Sequence, residues 1–176
     1  MQQDEIVELI RSSTEEVFTT MLGLQVQSGD PLVEQVAPGP SDGVVSLIGL
    51  AGSWIGTGRL SCSASAACQL SSRLLLTKYD AVTEDVLDDI AELTNMIIGS
   101  FKTAAEETLG PMGLSIPTVI FGRNFTTRTV ASNDWILVPF TAETIQFDVH
   151  ICLAPSLEVQ PRIIRAEHTG AEVIGR

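Results

Sequence analysis

The chain alternates between stretches in which apolar residues recur at helical spacing and stretches in which they alternate or run together, with Gly, Pro and Asn between them. From about Asp4 to Met21, the residues Ile6, Ile10, Val17 and Met21 fall near one face among Glu and Ser, and Gly23 follows where a C-cap belongs. That pattern predicts an amphipathic helix. The segment Pro38-Gly39-Pro40-Ser41-Asp42-Gly43 reads as a turn ahead of two strands, Val44 to Leu50 and Trp54 to Cys62, linked as a hairpin through Gly52-Ser53. Ser63 to Leu76 combines Ser, Ala and a leucine cluster and predicts a second helix. The longest helical pattern runs from Thr83 to Leu109, opened by Thr83 as a cap and closed by Gly110-Pro111. Strand patterns return at Ser115 to Phe121, Trp135 to Phe140 and Thr144 to Leu153, separated by polar turns containing Asn124 and Asn133-Asp134.

These elements imply an α/β (α+β) fold, long helices packed on a mostly antiparallel sheet. Residues 1–157 are expected to form one domain, and 158–176, mixing charge, Pro161 and glycines without periodicity, an extended or poorly ordered tail. The segments Thr20 to Val26 and Thr108 to Ile116 both run helix, glycine, apolar strand, which hints at an internal repeat.

Composition narrows the partners. The chain has 176 residues, enough for a real core, and its mean hydropathy of +0.26 argues against disorder. Its net charge of −12, from 22 acidic and 10 basic residues, would repel nucleic acid or an anionic membrane, leaving a protein or small molecule as the better partner. No apolar run is long enough to span a bilayer, and Met1-Gln2-Gln3-Asp4-Glu5 lacks the basic start of a signal peptide, so a cytoplasmic location is expected. The cysteines Cys62, Cys68 and Cys152 form no CxxC pair, and His150 and His168 are not spaced like zinc ligands. Buried reduced thiols, a core or sheet-surface His150 and no metal site are the expectations.

The candidate chemistry lies on the long helix. At 100° per residue, Val86, Ile90, Leu93, Ile97, Phe101 and Ala104 gather on one face, and Asp85, Asp88, Glu92, Asn95, Gly99, Lys102 and Glu106 on the other. The apolar face must meet the sheet, so Glu92 and Asn95, three apart and therefore adjacent, are displayed outward. Glu-x-x-Asn alone is a common pattern. Two features single it out: Asn has no cap role here, and Gly99 sits one turn later at a cost of about 1 kcal/mol against Ala. A glycine there admits another backbone, from a partner or from a neighbouring helix of the same chain.

The stretch Asp89-Ile90-Ala91-Glu92-Leu93-Thr94-Asn95-Met96-Ile97-Ile98-Gly99-Ser100-Phe101-Lys102 resembles the signature helix of the CheC/CheX/FliY chemotaxis phosphatases, Glu-x-x-Asn with a glycine one turn on. Leu114 to Gly122 and the opening helix ending Val17 to Gly23 resemble the CheX subgroup, and the likeness spans roughly Glu5 to Leu153. CheC-type members carry two signatures, whereas the first helix here offers Glu8 with Arg11 at the Asn position, which favours one site per chain.

The resemblance implies a CheC-like fold and a phosphatase acting on the aspartyl phosphate of a phosphorylated CheY-like response regulator. Asn95 would position the attacking water, and Glu92 would pair with the regulator's lysine. Asp88, Gly99 and Lys102 would touch the partner, Lys102 together with Thr103 at its rim, where ordinary solvation is the alternative reading for both. No cofactor is implied in this chain; Mg²⁺ would come with the regulator. The uncharged amide suits a site beside a phosphoryl dianion, and phosphoryl transfer asks mainly for positioning. A homodimer through strand pairing is also implied, and association with an acidic receiver is expected not to weaken with added salt beyond the Glu92 contact. Two alternatives stay open: a non-catalytic adaptor that binds phosphorylated receivers, and a small-molecule sensory domain.

Overall fold

A computed structural model of the chain describes residues 2–34, 41–127 and 134–156. The expected tail at 158–176, residues 38–40 of the expected turn and the turn residue Asn133 lie outside the described residues. Helix α1 (Gln3–Val17) begins with the Gln2 N–H donating to the Glu5 carboxylate at 2.7 Å, continues as one π-turn over Phe18–Leu22, and stops at Gly23, whose φ of 65° is left-handed. That φ suits glycine, and the Leu24 N–H closes the end on the Phe18 carbonyl at 3.1 Å. Two short strands missed by the periodicity follow, β1 (Gln27–Ser28) and β2 (Leu32–Glu34). Hairpin β3 (Ser41–Gly52) and β4 (Trp54–Cys62) turns at Ser53. Helix α2 (Ala64–Leu75) is capped by the Ser63 hydroxyl accepting from the Ala66 N–H at 3.0 Å.

Helix α3 (Glu84–Leu109) opens with the Thr83 hydroxyl accepting from the Val86 N–H at 3.4 Å and ends at Gly110. Beyond it come β5 (Met112–Leu114), β6 (Thr118–Phe125), β7 (Trp135–Ala142) and β8 (Ile145–Pro155). The expected strand from Ser115 to Phe121 therefore begins later, at Thr118, and runs on to Phe125, while Ser115, Ile116 and Pro117 form a break between β5 and β6.

All pairings are antiparallel. The hairpins β3–β4 and β7–β8 meet at the β4–β8 pair in the centre, β1 and β2 both pair with β7 at one edge, and β5 and β6 both pair with β3 at the other. The two halves thus repeat one order, helix, glycine, two edge strands, hairpin, and each half lends its edge strands to the other's hairpin. The echo in the sequence is realised as this exchange.

Along the strands, one face carries Val44, Ile48, Leu50, Leu60, Val138, Phe147, Val149 and Ile151 into the core shared with the helices. Phe147 stacks on Phe18 at 4.6 Å and on Phe140 at 5.4 Å, seating the end of α1 on the β7–β8 hairpin. From α3 the core takes Val86, Ile90, Leu93, Ile97, Ile98, Phe101 and Ala105. The alanine expected inside, Ala104, is only half-buried, and Ala105 takes its place. Steps of four from Phe101 keep a straight helix on one line toward Leu109, whereas a step of three drifts off it.

The opposite face of the sheet bears Arg59 and His150, register partners on β4 and β8, each 2% exposed. Burial pushes the His150 imidazole down to about 3, with the nearby Arg59 charge adding to the effect. Its Nε2 lies 3.3 Å from the Ser61 hydroxyl, and Trp135 meets its ring edge-on at 6.3 Å. His150 is a buried sheet histidine, as the alternation with Val149 and Ile151 predicts. All three cysteines are buried thiols, and burial, aided by Asp148, pushes Cys62 up to about 12, far from a reactive thiolate. Among the described residues no helix is long and apolar enough to cross a membrane.

Candidate functional site

Helix α3 lies on the sheet with its buried side fixed at close range. A Cβ on Gly58 of β4 would come within 2.7 Å of the Ile98 side chain, so the glycine lets the helix settle directly on the strand. With Leu93, Thr94, Ile97 and Ile98 buried, the rotation of α3 about its axis is determined, and Glu92 is exposed with Asn95 half-buried on the outer flank. Neither side chain has a hydrogen-bond or ion-pair partner among the described residues. The carboxylate and the amide therefore stand one turn apart with their polar atoms uncommitted.

The same flank continues through Asp88, exposed, and Gly99, half-buried. Packing among the described residues does not explain Gly99: the nearest atom there to a Cβ built on it is Leu114 Cδ1 at 3.9 Å, an ordinary contact. Lys102 lies farther along, but its Nζ is 2.9 Å from Glu106 Oε1. Glu106 also accepts the Met112 N–H at 2.7 Å, and that bond, more than Lys102, holds its carboxyl below the usual range. Glu106 thus ties α3 to the start of β5, and Lys102 is engaged with it along the helix. Thr103 is exposed and its hydroxyl donates to the Gly99 carbonyl at 2.9 Å.

The other flank of α3 is occupied. Ser100 donates to the Glu16 carboxylate at 2.7 Å, linking α3 to α1, which packs alongside it. Asp89 turns toward α2; desolvation raises its carboxyl pKa, the Ser71 hydroxyl pulls the other way, and Asp85 and Asp88 add to the rise. The Ser100–Glu16 link was not legible in the sequence, since it joins residues brought together only by helix packing.

On α1 the corresponding face is closed. Arg11 Nη1 sits 2.7 Å from Glu8 Oε1, and its Nη2 donates to the Gly29 carbonyl at 3.3 Å. Glu8 is engaged where Glu92 is open. Among the described residues no three His, Cys, Asp or Glu side chains gather to hold a metal ion.

Comparison with known proteins follows the same line. The family described as chemotaxis phosphatase CheX matches residues 44–141, which include α3 and the strands on either side of it. No curated protein matches the sequence. Among solved structures, the chemotaxis protein CheX from Desulfovibrio desulfuricans is similar at 28% identity and a TM-score of 0.74, over 85% of this chain and 99% of that one. CheX from Vibrio vulnificus is similar at 25% identity and a TM-score of 0.73, over 85% and 99%. The CheX-CheY-BeF3-Mg²⁺ complex from Borrelia burgdorferi shares the fold, with 23% identity and a TM-score of 0.72 over 84% and 96%.

Proposed function

The chain belongs to the CheX family of chemotaxis phosphatases, and from that premise we propose that it removes the phosphoryl group from the aspartyl phosphate of a CheY-like response regulator. The observation that carries this reading is the open pair, Glu92 and Asn95, held on the outer flank of a helix whose other side is sealed. The flank of α3 docks beside the regulator's phosphorylated aspartate. The Asn95 amide accepts a hydrogen bond from the attacking water and donates to it or to a phosphoryl oxygen, fixing the in-line approach. An uncharged group does this without repelling the phosphoryl oxygens. Glu92 takes the regulator's lysine and sets the docking register; truncating one partner of such a desolvated pair typically costs about 2–5 kcal/mol. Mg²⁺ belongs to the regulator and neutralises phosphoryl charge there. Asp88 and Gly99 lie within the docked area, Lys102 and Thr103 at its rim.

Phosphate release from a phosphorylated CheY-like receiver tests the reading. Asn95→Ala should lower kcat by about 10² or more with the fold intact, by analogy with loss of a preorganised donor. Glu92→Ala should act mainly on KM. Turnover close to wild type in Asn95→Ala removes the proposed role, and receiver binding without phosphate release by the wild type leaves the adaptor reading instead.

A further inference from the structure

The edge of the sheet beside α3 contains one residue too many. On β3 three steps lead from Leu50, the partner of Leu114, to Leu47, the partner of Thr118, whereas four steps lead from Leu114 to Thr118. The surplus is a β-bulge at Ser115-Ile116-Pro117, and Ile116 in it is 88% exposed. Single exposed aliphatics are ordinary. This one is held rigidly. The Ser115 N–H donates to the Gly49 carbonyl at 2.9 Å, its hydroxyl accepts from the Gly49 N–H at 2.8 Å and donates to the Ile116 carbonyl at 2.9 Å. Pro117 restricts Ile116 to extended geometry from the other side.

The repeat supplies an internal control. Between β1 and β2 the chain makes the same excursion: four steps from Ser28 to Leu32 match three on β7, from Phe140 to Leu137. There Gly29 stands for Ser115, its N–H donating to the Pro139 carbonyl at 2.8 Å, and Pro31 stands for Pro117. Ile116 corresponds to Asp30, which is exposed. The fold therefore accepts a charged residue at this bulge. The half with the closed Glu8–Arg11 pair has Asp30; the half with the open Glu92–Asn95 pair has Ile116.

Position links the bulge to the open pair. Arg11, at the place of Asn95, reaches the first bulge through the Gly29 carbonyl at 3.3 Å. In the second half Leu114 lies 3.9 Å from a Cβ position on Gly99. From Leu114 to Ile116 the extended chain advances roughly 7 Å, and from Gly99 back to Asn95 the helix covers roughly 6 Å. The strand after α3 runs back along the helix, so Ile116 comes level with Asn95 on its open flank.

We propose that Ile116 is an apolar anchor for the docked response regulator, filling an apolar recess beside the regulator's phosphorylated aspartate and so setting affinity while Asn95 sets turnover. This inference rests on the function proposed above. Burial of an isoleucine side chain on docking makes its loss an effect of about 10-fold or more in affinity.

Phosphate release from a CheY-like receiver phosphorylated with acetyl phosphate should show KM raised about 10-fold or more in Ile116→Ser, with kcat near wild type, and little change in Ile116→Leu. The urea midpoint and the mass by light scattering should stay those of the wild type. An active wild type with Ile116→Ser unchanged in KM overturns the anchor and leaves the proposed function standing, whereas an inactive wild type overturns both. A raised KM together with a smaller mass also overturns it, because Ile116 then covers a second copy of the chain. A lowered urea midpoint does so as well, by assigning the side chain to the fold.

Discussion

Asn95 sits in the middle of a helix of 26 residues, where its short amide lowers helix propensity by a few tenths of a kcal/mol, roughly, and makes no bond within the described residues. A residue that weakens its own element and makes no internal hydrogen bond among the described residues is explained by what it does outside the chain. His150 is the opposite case, a titratable group taken wholly inside. Its folded pKa of about 3 lies below the ordinary 6.5, so between those values the unfolded chain binds a proton that the folded chain refuses. Its contribution to stability is complete above about pH 6.5 and is lost as the pH falls toward 3, at up to ~1.4 kcal/mol per pH unit. Urea unfolding at about pH 7.5 and pH 5.5 should give a lower midpoint in acid, and His150→Gln should flatten the difference. An unchanged pH slope in that variant would assign the acid sensitivity elsewhere. Alternation along β8 identified His150 as a sheet residue; only the packing of Arg59, Ser61 and Trp135 decided how deeply it is buried.

Two glycines define what α3 can and cannot tolerate. At Gly58 an added methyl meets the Ile98 side chain at 2.7 Å, and Ile98, 1% exposed, has nowhere to go. Overpacking should make Gly58→Ala destabilising by about 1–3 kcal/mol. At Gly99 the nearest atom is 3.9 Å away, so helix propensity dominates and Gly99→Ala should gain about 1 kcal/mol. Thermal or urea unfolding of the two variants should move in opposite directions; a loss of stability in Gly99→Ala would return that glycine to internal packing. Helix α2 was legible from its helix-forming composition, and periodicity found α1 and α3 because each buries a continuous apolar stripe. It did not find the break at Ser115-Ile116-Pro117, since a bulge is defined by the register of the neighbouring strand, nor β1 and β2, which are too short to show alternation.

For the molecule as a whole, the repeat makes the two edges of the sheet alike in construction and unlike in chemistry. Among the described residues β6 hydrogen-bonds to β3 alone, leaving its outer edge open to pairing with a second chain. A homodimer formed through that edge remains the proposal, and light scattering at micromolar concentration should give about twice the chain mass of 18.8 kDa. A mass of one chain would remove the dimer and leave the α3 site unaffected.

The linear order of apolar and polar residues was enough to determine the three helices, the first hairpin, the mostly antiparallel class and the face of α3 that carries Glu92 and Asn95. All of these follow from local periodicity and from the need to bury one side of each element. Tertiary structure decided the rest: that Arg11 reaches the Gly29 carbonyl while Glu92 stays open, that Glu106 takes the Met112 N–H, that Gly99 meets nothing closer than Leu114 at 3.9 Å among the described residues, and that Ile116 stands out from a bulge. Each of these depends on a distance or register that the final packing sets, and no pattern along the chain encodes it.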